Sequence, residues 1–313
     1  MTASTRRARV RALAKINLDL RILHKRPDGY HELRTIFQTI SLSDLLALAF
    51  TPGRATRIAL ESSVDIPDNL VVRAARLCLD ELRLTGSVDL RLEKRIPMGA
   101  GLGGGSSDAA AVLLALPVLA GAVIPMERLM AIARELGSDV PFFLVGGRAV
   151  GIGRGAELYP LPDAATLPAL VVSPVIHVST RDAYGSLNRG ELTTQLLQNK
   201  IDSFQSGVWD SSGVVRANDF EEAVFRKHPP LRALKQKLIK LGANPAMMSG
   251  SGSSVFGIFA ARTQVTRAIK SFRKEAAFPI SLIGRSRYRS LWRGWLSAHR
   301  IQSEWPPQSR YAQ

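Results

Sequence analysis

The sequence predicts an α+β fold in two domains, and three observations predict it. Strand-like and helix-like segments alternate along 313 residues with no internal repeat. Several strand-like segments are half polar. In SVDLRLEKRIP, residues 87–97, Val88, Leu90, Leu92 and Ile96 take one face and Asp89, Arg91, Glu93 and Arg95 the other. That alternation marks a strand with one wet face, as in partly antiparallel sheets, rather than a strand covered on both sides. Finally, LPDAATLP at 161–168 breaks the pattern and is the best domain boundary.

Taken in order, ARVRALAKINLDLRIL (8–23) alternates in its first half and predicts a strand. HKRPDGYHEL follows as a loop around a Pro-Asp-Gly turn. TIFQTISLSDLLALAF (35–50) predicts one or two strands. NLVVRAARLCLDEL (69–82) has helical spacing. After the strand at 87–97 comes PMGAGLGGGSSDAA, with glycines at 99, 101, 103, 104 and 105, and then a helix, DAAAVLLAL, that Pro117 should interrupt or kink. PMERLMAIAREL is a helix with Pro125 near its start and Gly137 at its end. Residues 137–161 predict a loop and a glycine-broken hairpin, and LPALVVSPVIHVST a buried strand running into a polar loop. The polar stretch 186–217 predicts a surface helix with loops. NDFEEAVF opens with Asn218 as N-cap and Glu221 three residues on, a capping-box pattern. LRALKQKLIKLGA is a helix with a glycine stop, SSVFGIFA a strand, and VTRAIKSFRKE a helix. Residues 285–313, with three tryptophans and six arginines, predict a partly disordered basic extension.

Composition bounds the function. The chain is 46% hydrophobic, enough for a sizeable core. No apolar run reaches the roughly 18 residues of a membrane span. The N-terminus is basic but has no apolar stretch of the secretory kind. Its Arg-rich start resembles a transit peptide, yet Lys15 and Asn17 follow at once and read as functional. One cysteine, Cys78, excludes an internal disulfide and fits a cytoplasmic protein. A net charge of +16 points to anionic partners: nucleic acid, a membrane surface or phosphorylated metabolites.

The glycine segment decides among these. GAGLGG at 99–104 matches the dinucleotide fingerprint literally, but the strand before it alternates with charge, and no second strand ends in an acid about twenty residues on. A phosphate loop of the GK[ST] type is excluded, because no lysine precedes Ser106. A plain surface loop leaves five glycines unexplained. A phosphate cradle remains. Glycines let backbone N–H groups approach an anion, and Ser106, Ser107 and Asp108 stand where a helix begins.

That segment resembles motif 2 of the kinases grouped as galactokinase, homoserine kinase, mevalonate kinase and phosphomevalonate kinase. LAKINLDL (13–20) resembles motif 1 and MMSGSGSSVFGIF (247–259) motif 3. RPDGYHELRTIFQTI (26–40), DNLVVRAA (68–75) and LGSDVPFF (136–143) narrow the resemblance to the branch acting on a cytidine-diphosphate sugar alcohol. The resemblance covers about residues 8–284. It implies transfer of phosphate from ATP to a tertiary 2-hydroxyl, in non-mevalonate isoprenoid synthesis. It implies an N-terminal ATP-binding domain like domain 2 of ribosomal protein S5 (1–162), a ferredoxin-like C-terminal domain (163–284), and an extension beyond the usual end (285–313).

The resemblance also assigns roles. Asp139 would be the catalytic base and Lys15 the catalytic lysine, favouring the charged form of Asp139 or stabilising phosphoryl charge. Pro97, Met98, Gly99, Ala100, Gly101, Leu102, Gly103, Gly104, Gly105, Ser106 and Ser107 would bind ATP, with Asn69 and Lys94 near the nucleotide. Asn17 and Thr180 would hold the acceptor. His31 would read the cytosine edge, with Tyr30 and Tyr184 stacked on its faces. Gly250, Ser251 and Gly252 would close the phosphate site from the second domain. Mg²⁺ is expected with ATP, its ligands unassigned. A small molecule is the expected partner, with no membrane and no nucleic acid; oligomeric state is left open. The alternatives are another kinase of the group, of homoserine or mevalonate type, and a basic nucleic-acid-binding protein on an S5-like fold.

Overall fold

A computed structural model of the chain describes residues 4–163, 165–186, 194–209 and 216–299. Two long strands organise its first half. β1 (Arg6–Lys25) and β2 (His31–Pro52) pair antiparallel over their length around the turn at Pro27–Tyr30. Their register slips between Leu13 and Lys15, between Asn17 and Asp19, and between Ile22 and His24. Such bulges re-aim side chains, and the first two bracket Lys15 and Asn17. β3 (Arg57–Ser62), α1 (Leu70–Leu82) and β4 (Gly86–Glu93) follow. β4 pairs with β2, and β3 lies parallel to β4. β5 (Arg148–Gly153) and β6 (Glu157–Pro160) complete a six-stranded sheet. β4 buries Val88, Leu90 and Leu92 and leaves Asp89 and Arg91 exposed, as its alternation predicts.

Between the sheet and the other helices runs α2 (Gly104–Ala120), in which every residue from Ser107 to Leu119 is buried. A helix apolar all round must be enclosed. α1, α3 (Met126–Leu136) and α4 (Val140–Val145) enclose it. Pro117 does not interrupt it. The proline sits in its last turn, where one backbone bond is at stake, and Gly121 closes the helix in the left-handed conformation. α4 occupies a stretch expected to be loop. Six residues are too few for periodicity to show, and Pro141 is tolerated because it falls in the first turn.

The second half holds β7 (Pro168–Ser173), α5 (Thr180–Gly185), α6 (Thr194–Trp209), α7 (Glu221–Lys227), α8 (Pro229–Lys240), β8 (Ala246–Met248), β9 (Val255–Ile258), α9 (Arg262–Ala268) and β10 (Ala276–Ser281). Its sheet is antiparallel, in the order β10-β7-β9-β8. The predicted helix 265–275 ends early, in a 3-10 turn at Ile269–Ser271. The two sheets face each other across a shared core that includes Ile16, Ile36 and Ile40 from the first, and Val171, Phe256 and Ile280 from the second.

Residues 285–299 depart from the expected disorder. α10 (Arg285–Trp295) returns to the first core, where Tyr288, Trp292 and Leu296 are buried. The Tyr288 hydroxyl donates to the Phe143 carbonyl. Arg287, Arg289 and Arg293 occupy the outer face of an amphipathic helix whose inner face is aromatic, while Arg285 is half-buried and donates to the Leu161 and Arg148 carbonyls. Residues 300–313 lie outside the described residues.

Candidate active site

The glycine segment crosses between the two halves. Gly99, Gly101 and Gly103 have φ of +62°, +76° and +71°, so every second residue is left-handed. That alternation turns successive N–H groups into one concavity. The carbonyls are occupied: Leu102 accepts from Lys15 N (3.0 Å), Ala100 from Ser254 N (3.2 Å) and Gly101 from the Ser249 hydroxyl (2.9 Å). Among the described residues the N–H groups of residues 99–106 find no acceptor. A segment that spends its carbonyls on the protein and keeps its N–H groups free, at the start of a 17-residue helix, is built for an anion. Ala100 and Leu102 anchor it in the shared core, while Pro97 is half-buried and Met98 exposed. Ser106 stands free at the helix start. Ser107 differs from expectation: its hydroxyl is buried and donates to the Leu13 carbonyl (2.7 Å), so it ties α2 to β1.

Beside the segment lies a cation–carboxylate pair. Lys15 Nζ is 3.5 Å from Asp139 Oδ2; the lysine is 4% exposed and the aspartate 31%. The bulge in β1 and the turn into α4 bring them together. Lys15 also donates to Asn17 Oδ1 (2.7 Å), Asn17 Nδ2 to Thr35 Oγ1 (2.7 Å), and Thr35 Oγ1 to the Asp19 carbonyl (2.7 Å). This chain of bonds fixes the amide of Asn17. Gly103 permits the approach, since a Cβ there would lie 3.2 Å from Lys15 Cγ and 2.8 Å from the Phe143 ring.

The loop of residues 249–254 docks opposite. A Cβ on Gly101 would fall 2.0 Å from the Ser249 carbonyl oxygen, and one on Gly250 3.4 Å from Asn17 Oδ1. Thr180 and Ser251 share a hydroxyl hydrogen bond at 3.1 Å. Asn218, expected as an N-cap, accepts from Phe220 N through its Oδ1 (3.0 Å) and also donates through its Nδ2 to the carbonyls of Met248 (2.9 Å) and Gly250 (2.7 Å), and so holds this loop. α7 begins three residues later, and Glu221 is taken by Met248 N and Lys235. Neither Asn218 nor Thr35 carries a local sequence signal for these roles.

Two expected nucleotide neighbours are engaged elsewhere, at least in part. Asn69 caps α1 through its side-chain oxygen (3.1 Å to Val71 N), and its buried Nδ2 has no partner. Lys94 is buried between two carboxylates, Asp44 and Asp108. The base-reading group also differs from expectation. His31 and Tyr184 stack on each other at 4.7 Å, and Tyr184 lies edge-on to Phe220 at 4.8 Å. Tyr30 is exposed under the Arg154 guanidinium, 4.4 Å from its ring centre. The aromatic faces of His31 and Tyr184 therefore pack together, while Tyr30 pairs with Arg154. Burial and the nearby Lys25 charge lower the His31 pKa and favour the neutral ring, which offers one donor and one acceptor. Burial, and then the Asp139 charge, push Tyr184 up to about 12, which keeps the phenol protonated and puts it within the field of the Lys15–Asp139 pair.

A hollow of about 660 Å³ lies on the outer face of the first sheet, around Arg9, Ala47, Ala49, Glu61 and Asp89. It contains no residue of the glycine segment. Among the described residues no three His, Cys, Asp or Glu side chains come together as a metal cage. No helix there is long and apolar enough to cross a membrane.

The chain also has clear relatives among known proteins. The family described as GHMP kinases N terminal domain matches residues 69–147, and GHMP kinases C terminal matches residues 196–277. A 4-diphosphocytidyl-2-C-methyl-D-erythritol kinase of Solibacter usitatus is 59% identical over 313 residues, covering 99% of each chain. One of Geobacter metallireducens is 39% identical, covering 84% of this chain and 92% of its own. A crystal structure of 4-(cytidine 5'-diphospho)-2C-methyl-D-erythritol kinase is 37% identical with a TM-score of 0.75, covering 88% of this chain and 99% of its own. Homoserine kinase from Cytophaga hutchinsonii, at 19% identity and TM-score 0.70, covering 89% and 95%, shares the fold.

Proposed function

From the premise that this chain belongs to the GHMP kinases and, among them, to the 4-diphosphocytidyl-2-C-methyl-D-erythritol kinases, we propose that it transfers the γ-phosphoryl group of ATP to the 2-hydroxyl of 4-diphosphocytidyl-2-C-methyl-D-erythritol. The products are the 2-phosphate and ADP, in the non-mevalonate route to isoprenoid precursors. A cytoplasmic site of action fits the single, buried, free Cys78.

The observation that carries the mechanism is the Lys15–Asp139 pair beside an anion cradle. The N–H groups of residues 99–106 and the start of α2 hold the triphosphate. Asp139 accepts the proton of the acceptor hydroxyl as its oxygen bonds to the γ-phosphorus and the bridging oxygen leaves with ADP. Lys15, fixed by Asn17, offsets charge gathering on the transferring oxygens. Asn17, Thr180 and the 250–252 loop line the acceptor side. His31 and Tyr184 recognise the cytosine, Tyr184 through its face and His31 through its ring nitrogens, once their mutual stack opens. A magnesium ion brought by ATP would neutralise charge on its phosphate oxygens.

Asp139→Asn tests the base. The account expects turnover to fall by about two to four orders of magnitude, with binding of the cytidine substrate retained in equilibrium titration. Near-normal turnover in a folded variant refutes the assignment.

A further inference from the structure

Behind the cradle lies an ionic cluster that the mechanism does not use. It joins Asp44 of β2, Lys94 just after β4 and Asp108 of α2, with side chains 0%, 5% and 2% exposed. Asp44 Oδ1 accepts from the backbone of Arg95 and of Ile96 (2.8 Å), fixing the turn that leads into the glycine segment. Its Oδ2 accepts from Lys94. Lys94 Nζ then donates to Asp108 Oδ2 at 2.7 Å, while Asp108 Oδ1 is buried without a partner. The Lys94 ammonium presses against the first residue of α2, 3.2 Å from where a Cβ on Gly104 would stand.

One cation between two buried carboxylates cannot cancel both. Fully ionised, the cluster leaves one net negative charge a single turn behind the N–H groups that receive phosphate. A negative charge inside the first turns of a helix offers nothing to an anion bound at its tip; it opposes that anion. Assuming the glycine segment is the ATP cradle, as proposed above, we infer that Asp44, Lys94 and Asp108 form a positioning triad whose net charge sets nucleotide affinity. Asp44 holds Lys94, Lys94 screens Asp108, and uptake of a proton by Asp108 removes the residual charge.

Other groups do not replace this control. Lys15 reaches the segment from β1, but at Gly103. α1 presents the uncharged Asn69 and Leu70 at its start, and α3 and α4 turn apolar side chains inward. Burial raises the Asp108 carboxyl to about 7 against the opposing pull of Lys94, which brings its proton equilibrium near neutral pH.

The test is equilibrium titration of the full chain with ATP, without acceptor, from pH 6 to pH 8.5. Asp108→Asn keeps the shape and the bond to Lys94 but removes the charge. The variant should bind ATP about two- to fivefold tighter than the parent at pH 8. The two should converge at pH 6, where the parent carries the proton. Lys94→Met leaves two carboxylates unscreened and should weaken ATP by about tenfold or more; adding Asp108→Asn to it should recover part of the loss. A purely structural triad would give an Asp108→Asn affinity equal to or weaker than the parent with an unchanged pH profile, and that result overturns the inference. Should Lys94→Met fail to fold, Asp108→Asn alone decides.

Discussion

Tyr184 shows how much a single residue carries in this site. Its ring is shared between His31 on one face and Phe220 at its edge, and its environment includes Asp139. Removing the ring takes away a stacking surface worth about 1–3 kcal/mol per base. Tyr184→Ala should therefore raise KM for the cytidine substrate by about fivefold to a hundredfold, with KM for ATP little changed; initial rates against each substrate in turn measure both. An equal loss for both substrates would take the tyrosine out of base recognition. At this scale the sequence points to residues that stand inside recognisable strings, Lys15 and Asn17 in LAKINLDL and Asp139 in LGSDVPFF, and the fold brings these three together. It did not disclose residues that act across the chain. Thr35 meets Asn17 only because β1 and β2 fold together, and Asn218 meets the 248 and 250 carbonyls only when the second half closes. The pairing of Tyr184 with His31 was hidden for the same reason, since rings from opposite halves of the chain meet only in the folded molecule.

Among the elements, the glycine segment and the C-terminal helix make opposite demands. Gly103 has φ of +71°, and its missing side chain leaves room for Phe143 and Lys15. A β-branched residue there is strained in backbone and packing alike. Gly103→Val should weaken ATP binding far more than binding of the cytidine substrate, as read by separate titrations; equal weakening would put the cradle on the wrong ligand. α10 was illegible because its four arginines equal its apolar residues in number, and three aromatic anchors at positions 288, 292 and 295 do not resemble an ordinary aliphatic stripe. Yet Trp292 is 1% exposed within the first core. Trp292→Ala should cost about 3–5 kcal/mol of stability, measured by denaturant unfolding of the full chain. A loss under about 1 kcal/mol would mean the helix is an appendage. α4 was missed for a different reason: a single short turn has no period to detect, although its two phenylalanines are fully buried.

The whole molecule is two sheets that share one core and meet at the glycine segment. The half-polar alternation of β4 was enough to predict the α+β class, because at β4 one face of the first sheet is buried and the other meets solvent. It was not enough to place the second sheet against the first, which depends on contacts such as Ile283 N with the Thr39 carbonyl and Gln38 with the Ile283 carbonyl. A net charge of +16 suits anionic ligands without choosing one, and the choice comes from the site. Release of ADP by the purified full chain, followed with ATP and each of 4-diphosphocytidyl-2-C-methyl-D-erythritol, homoserine and mevalonate, tests the central claim most directly. The account predicts stoichiometric ADP release with the cytidine substrate and none above background with the other two. Release with homoserine or mevalonate, and none with the cytidine substrate, would contradict it.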